Sequence, residues 1–129
     1  MAVLPGTSGM AGPLCSDMLD LQVAQHGSNA RVVTVGGEID TLTAPELAVF
    51  LIAQLVAVPL VVLDLDGVQF LGSAGLSVLV KANELAAREG RHLRLVCHSG
   101  MINRVLDVTG LREQFTFADT VSGALQNSP

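Results

Sequence analysis

Ser73 is the side chain best placed to do chemistry, or to have chemistry done to it. It stands in Phe70-Leu71-Gly72-Ser73-Ala74-Gly75-Leu76, between an apolar run and an amphipathic one. Gly72, Ala74 and Gly75 are small, so the hydroxyl is sterically open. A serine directly ahead of a helical pattern is a candidate N-cap, its oxygen accepting a backbone N–H that the helix cannot satisfy itself. The dipole at that end of a helix favours an added negative charge. The residues alone therefore leave two uses of the hydroxyl open: an ordinary cap, or a place to carry phosphate.

A third use, as a nucleophile, fits poorly. A serine on a strand-to-helix turn suggests the elbow G-x-S-x-G, but Leu71 stands where that pattern needs its first Gly. Of the downstream histidines that could act as a base, His92 follows Gly90-Arg91 and reads as a solvated turn, leaving His98. The chain is also well short of a hydrolase fold. No G-x-x-x-x-G-K-[ST] or G-x-G-x-x-G occurs to cradle phosphates. His26, His92 and His98 contain no locally spaced pair for a metal, and each reads as a surface histidine. Neither an enzyme, nor a metal, nor a cofactor is expected.

The elements that must position Ser73 follow from the pattern around it. Leu60–Leu63 is continuously apolar, as in a strand buried on both faces of a sheet. A turn is expected at Asp66-Gly67, then the Val68/Phe70/Leu71 patch, then a helix over Ser73–Glu89 that Gly90 ends. Upstream, Asp17–Gln25 alternates loosely as a first strand, and His26-Gly27-Ser28-Asn29 has hairpin-turn chemistry. Arg31–Val35 is the second strand. Thr43 with Glu46 forms a capping box, Pro45 falls in the first turn, and a helix runs to about Ala57. Asp40, in the loop before it, is of a type that bonds its own backbone. Downstream come a strand at Leu93–Cys97, a helix capped by Ser99 and closed by Gly110-Leu111, a short strand at Phe115–Phe117, and a closing helix over Asp119–Gln126. The order β-β-α-β-α-β-α-β-α predicts an α/β fold: a mixed, mainly parallel sheet packed with about four helices.

Composition narrows the function classes. The 129 residues suffice for one compact domain; half are hydrophobic and 15% charged, which excludes disorder for the bulk of the chain. The net charge is −5 and the 7 Lys and Arg are scattered, so no nucleic-acid footprint is present. There is no Trp or Tyr to stack bases. Protein partners are the expectation. Leu47–Leu63 is apolar apart from Gln54 and Pro59, but Pro59 breaks it well before the roughly 20 residues a spanning helix needs. Membrane insertion is not expected. Met1–Pro13, rich in Gly, Pro, Ser and Ala, lacks the charged start of a signal peptide. We expect a disordered leader over 1–16, a domain over 17–126 and a tail over 127–129. Cys97 lies in an apolar run and reads as a buried thiol. Cys15 lies in the leader; a disulfide between the two stays open, with a reducing cytosol the simpler setting.

Val61–Leu76 resembles the signature of the STAS domain, the fold of bacterial anti-sigma factor antagonists. Members have an apolar strand with an Asp near its end, then a turn apolar-Asp-Ser-Ser/Thr-Gly-Leu whose first Ser is phosphorylated. Asp64, Ser73, Gly75 and Leu76 match; Gly72 stands in place of the usual Asp, and Ala74 in place of Ser or Thr. Gly37-Glu38-Ile39-Asp40 through Leu47 resembles the family segment that lies beside that turn, and Val105–Leu111 resembles its third helix. The resemblance implies a domain that binds an anti-sigma factor with serine-kinase activity and so releases a sigma factor. Phosphorylation of Ser73 by that kinase would end the contact and a serine phosphatase would restore it. It implies a partner surface of Asp40, Thr41, Phe70, Leu71, Gly72, Ala74, Gly75 and Leu76, and a cytoplasmic location. The alternative it leaves open is a stand-alone accessory or transporter-associated STAS domain with no phosphoswitch, which Gly72 favours.

Overall fold

The computed structural model describes residues 19–126. The expected leader with Cys15, the start of the domain at 17–18 and the tail at 127–129 lie outside the described residues. The elements are β1 (Leu19–His26), β2 (Ala30–Ile39), α1 (Ala44–Ala57), β3 (Leu60–Leu71), α2 (Ser73–Arg88), β4 (His92–Val96), α3 (Gly100–Thr109), a 3-10 turn (Arg112–Gln114), β5 (Thr116–Phe117) and α4 (Val121–Gln126). Five strands form one sheet in the order β1-β2-β3-β4-β5. β1 and β2 are an antiparallel hairpin, and every later neighbour is parallel. This is the mixed, mainly parallel α/β fold that the element order predicts.

The β3 pattern sets the layers. Leu60, Val61, Val62 and Leu63 are all at most 1% exposed, so both faces of the strand are covered. Val61, Leu63 and Leu65 pack with Leu47 and Leu51 of α1, Leu79 and Ala82 of α2, and Ile102 and Leu106 of α3. Leu60 and Val62 point the other way, into a smaller cluster with Ala30, Val32, Val96 and Ala124 of α4. Three helices thus cover one face and α4 part of the other. α1 carries a single charge, Glu46, and leaves Val49, Ile52 and Val56 exposed on the side away from the core. No helix among the described residues is long and apolar enough to cross a membrane.

The expected turn at Asp66-Gly67 is instead a bulge within β3, and β2 runs on past its expected end at Val35. Asp66-Gly67 does not end β3, and Gly36-Gly37 does not end β2; the strands stay paired to Ile39↔Leu71. The register steps from Thr34↔Asp64 to Gly36↔Gly67, then from Gly37↔Val68 to Glu38↔Phe70, so β3 carries one extra residue at each shift. A bulge of this kind bends the strand without ending the ladder. Gly67 is favoured by closeness: a Cβ there would lie 3.1 Å from the Val35 carbonyl oxygen and 3.3 Å from Gly36 Cα, both backbone atoms of the paired strand. Gly37 has φ +92, which favours glycine.

The remaining boundaries follow local chemistry. Ser99 caps α3, its hydroxyl accepting the Ile102 N–H. Gly110 (φ +74) closes the helix, with the Leu111 N–H reaching back to the Leu106 carbonyl. Gly90 (φ +70) serves the same purpose after α2, one residue beyond the C-cap Glu89, with the Arg91 N–H on the Ala86 carbonyl. Cys97 is a buried free thiol just past β4, and burial pushes its pKa up.

Candidate functional site

The ends of β2 and β3 deliver two turns side by side. Because Ile39 pairs with Leu71, the residues that follow each strand leave the sheet together at its C-terminal edge. One more bond extends the ladder past the last pair: the Gly72 N–H donates to the Ile39 carbonyl at 2.9 Å. That bond ties the turn at Gly72-Ser73 to the loop that starts at Asp40.

The Asp40 loop is held by its own side chains. Oδ1 of Asp40 accepts the backbone N–H of Leu42 at 2.9 Å and of Thr43 at 3.0 Å. Thr43 is wholly buried; its hydroxyl donates to the Glu38 carbonyl at 2.8 Å and accepts the Asp40 N–H at 2.9 Å. The expected capping box therefore does not form. Thr43 occupies the N-cap position, but its hydroxyl faces back into the loop and makes no cap bond. The Asp40 carboxylate is likewise spent on the loop's backbone, while Thr41 and Leu42 project into solvent, Leu42 being 69% exposed.

Ser73 does not cap α2. Gly72 is the N-cap, in extended conformation (φ −89, ψ 179), and no side chain caps the helix. Ser73 is the first helical residue, exposed, one position later than the cap expected from the pattern. The Gly72–Ile39 bond decides this, because it holds Gly72 in the sheet's ladder and forces the helix to begin after it. The Leu76 N–H, on the Gly72 carbonyl, makes the first bond of the helix. Ahead of it, the N–H groups of Ser73, Ala74 and Gly75 are the first-turn donors that a helix leaves without internal partners. A phosphate on Ser73 would sit at this positive end of the dipole. Within Asp40–Thr43 and Phe70–Leu76 there is no Lys or Arg to pair with it.

The residues expected in one surface patch divide into two sets. Phe70 is 49% exposed and lies over Gly72, whose missing Cβ would be 3.2 Å from the ring. Ala74 and Leu76 are half-buried against the core. Leu71, at 5% exposure, and Gly75 are inside. A Cβ on Gly75 would stand 2.5 Å from Cγ2 of Ile39 and 2.6 Å from Cδ1 of Leu71, so the helix can approach the two strand ends only with glycine here. Leu71 and Gly75 hold the turn in place and are not available to a partner's surface. Leu42, which has no signal in the sequence beyond a position in the loop, is exposed in the Asp40 loop.

The histidines do not serve Ser73. His92 pairs with Leu60 at the start of β3, so the length of that strand, roughly 35 Å at about 3.3 Å per residue, separates it from the serine. His26 ends β1 opposite Ala30, which in turn pairs with Leu60 at that same far edge. His98 is engaged elsewhere, its Nδ1 2.8 Å from Asp66 Oδ2. Among the described residues, no three His, Cys, Asp or Glu side chains come together to hold a metal ion.

The STAS domain family model matches residues 20–124, which is nearly all of the described chain. The chain belongs to the STAS domain family. Its STAS relatives include the anti-sigma-F factor antagonist RsfB of Mycobacterium tuberculosis, 33% identical over 111 residues, 84% of this chain and 88% of that one. The crystal structure of an anti-sigma factor antagonist from Mycobacterium paratuberculosis superposes with a TM-score of 0.76 at 33% identity, covering 91% of this chain and 97% of that one. The anti-sigma factor antagonist SpoIIAA in its unphosphorylated form shares the fold at 16% identity, with a TM-score of 0.70 over 83% of this chain and 94% of its own. This STAS domain has the same architecture of a five-stranded, mostly parallel sheet with four helices.

Proposed function

We propose that this STAS domain is an anti-sigma factor antagonist whose docking surface is the pair of turns Asp40–Thr43 and Phe70–Leu76, controlled by phosphorylation of Ser73. One observation carries the reading: an exposed serine at the first position of α2, in a turn bonded through Gly72 to the Asp40 loop. Relatives with 33% identity named as anti-sigma factor antagonists support the general role. The partner is then an anti-sigma factor with serine-kinase activity in the cytoplasm, and a serine phosphatase resets the switch. Thr41, Leu42, Phe70 and the exposed side of Ser73 make the contact; Asp40, Leu71 and Gly75 shape it. A phosphoryl group brings nearly two negative charges into a contact that draws on the exposed apolar side chains of Phe70 and Leu42, with no cation in either turn. Desolvating that charge opposes binding, while the helix dipole keeps the modified domain folded.

The accessory reading, a STAS domain without a phosphoswitch, draws on Gly72, which leaves the turn without the family's carboxylate. Titration calorimetry against the purified partner kinase separates the two. Ser73→Ala should bind as wild type does, whereas Ser73→Glu should lose roughly ten- to a thousand-fold in affinity, the cost of a few kcal/mol for a charge in a contact with no counter-charge. Equal affinities for the two variants, with circular dichroism showing both folded, would assign the domain to the accessory class.

A further inference from the structure

Both ring nitrogens of His98 meet groups that accept hydrogen bonds. Nδ1 lies 2.8 Å from Oδ2 of Asp66 on β3. Nε2 lies 2.6 Å from the backbone carbonyl oxygen of Asp119, in the connection between β5 and α4. A carbonyl and an ionised carboxylate are acceptors only, and a neutral imidazole has one N–H to offer. A neutral ring could satisfy one contact and would press lone pairs together at the other. The imidazolium donates at both ends. Moving its proton onto Asp66 would also satisfy the geometry, but at an exposed site the proton resides on the far more basic imidazole. The side chains are 61% and 40% exposed, so the site is open to water and protons.

The contact joins segments distant in the chain. Oδ1 of Asp66 accepts the backbone N–H of His98 at 2.7 Å, so one carboxylate grips both the main chain and the side chain of the same residue. Asp66 lies in the first bulge of β3, and its own N–H is held by Asp64 Oδ1 at 3.0 Å. His98 immediately precedes the Ser99 cap of α3, and Asp119 lies two residues ahead of α4. We propose that the His98 imidazolium is a pH-sensitive clamp that holds the β3 bulge, the start of α3 and the approach to α4 together, and that loss of its proton opens the clamp.

The surroundings favour the charged ring. The hydrogen bond to Asp66 is the largest influence raising the His98 pKa, followed by the Asp119 carbonyl and the charge of Asp66, with the Asp119 carboxylate adding a smaller pull. Burial acts to raise the Asp66 pKa, but the bonds and charge of His98 outweigh it and the net direction is down. The first turns of α3 and α4 carry no ionisable side chain that could oppose these effects. The neighbouring Cys97 thiol, pushed up by burial, remains neutral. Because the folded-state pKa of His98 lies above its unfolded value, near 6.5, the clamp contributes fully below that pH. Its contribution disappears as pH rises through the folded-state value.

The test is nitrogen-15 NMR of the histidine rings in the full chain between pH 5 and 9, with Asp66→Asn and His98→Ala as variants. The His98 ring of the wild type should show two protonated nitrogens at pH 6.5, and its midpoint should move down in Asp66→Asn. The melting temperature of the wild type should exceed that of His98→Ala most at low pH, and the difference should shrink as pH rises through the wild-type midpoint. A ring that is a single neutral tautomer at pH 6.5 overturns the proposal, as does a midpoint unmoved in Asp66→Asn. A melting difference constant across the range overturns it too. Should either variant fail to fold, the wild-type ring shifts decide alone.

Discussion

Adding one methyl group at Gly75 tests whether close packing positions the Ser73 turn. The new Cβ would lie 2.5 Å from Ile39 Cγ2, 2.6 Å from Leu71 Cδ1 and 3.2 Å from Ile39 Cβ. Carbon atoms in contact want about 3.5–4.0 Å, so helix and strands must part by roughly 1 Å. Neither neighbour can swing aside, since Ile39 is 0% and Leu71 5% exposed. Overpacking of this kind costs about 1–3 kcal/mol, while replacing a helical Gly with Ala returns at most about 1 kcal/mol. With both neighbours buried the upper half of the cost applies, leaving a net loss of about 1–2 kcal/mol. That corresponds to a melting temperature lower by roughly 5–10 °C for a domain this size. Gly100→Ala is the matched control: it too is a glycine in a first helical turn, but nothing stands within 4 Å of its added Cβ. That variant should gain roughly 0.4–1 kcal/mol through the unfolded state. Urea unfolding of both, read from midpoints at constant slope, gives the comparison. If Gly75→Ala were as stable as Gly100→Ala, the account of how α2 meets β2 and β3 would be refuted. Calorimetry with the partner adds a second readout, because a turn displaced from the Asp40 loop should bind more weakly.

Other perturbations separate the structural from the functional roles in the two turns. Ser73→Ala should change stability by no more than about 0.5 kcal/mol, as for an exposed residue whose hydroxyl does not cap the helix; a loss near 1 kcal/mol in a thermal melt would restore the cap. Thr43→Val keeps the shape but leaves the Glu38 carbonyl and the Asp40 N–H without their buried partner, and chemical denaturation should show a loss of about 1–3 kcal/mol. Gly72→Asp should fold normally, since the extended backbone accepts any residue, Asp is a good N-cap, and the half-exposed Phe70 ring can yield. If the absent carboxylate limits recognition, this variant should be phosphorylated at Ser73 faster than wild type by the partner kinase; an equal rate would make Gly72 neutral.

What the sequence by itself determined is the set of elements, because those signals are local. An unbroken apolar run at Leu60–Leu63 has to be covered on two faces, and Ser99 and Gly110 punctuate α3 through bonds to residues within five positions. The same local chemistry made Ser73 the residue to watch. The tertiary structure decided how the ends of these elements meet. Gly36-Gly37 and Asp66-Gly67 have the composition of turns, and only the pairing of β2 with β3 shows that both strands run on through them, with the extra residues on β3. Ser73 has the composition of a cap, and only the bond from Gly72 to Ile39 moves the helix start past it. Thr43 turns its hydroxyl back to Glu38, Leu71 turns inward, and Gly75 is required by side chains from two strands. His98 and Asp66 are 32 residues apart, so nothing in the spacing announces their contact. Hydrogen bonds and van der Waals contacts act over a few ångströms, and it is the fold, through the register of β2 on β3, that brings these groups within that range.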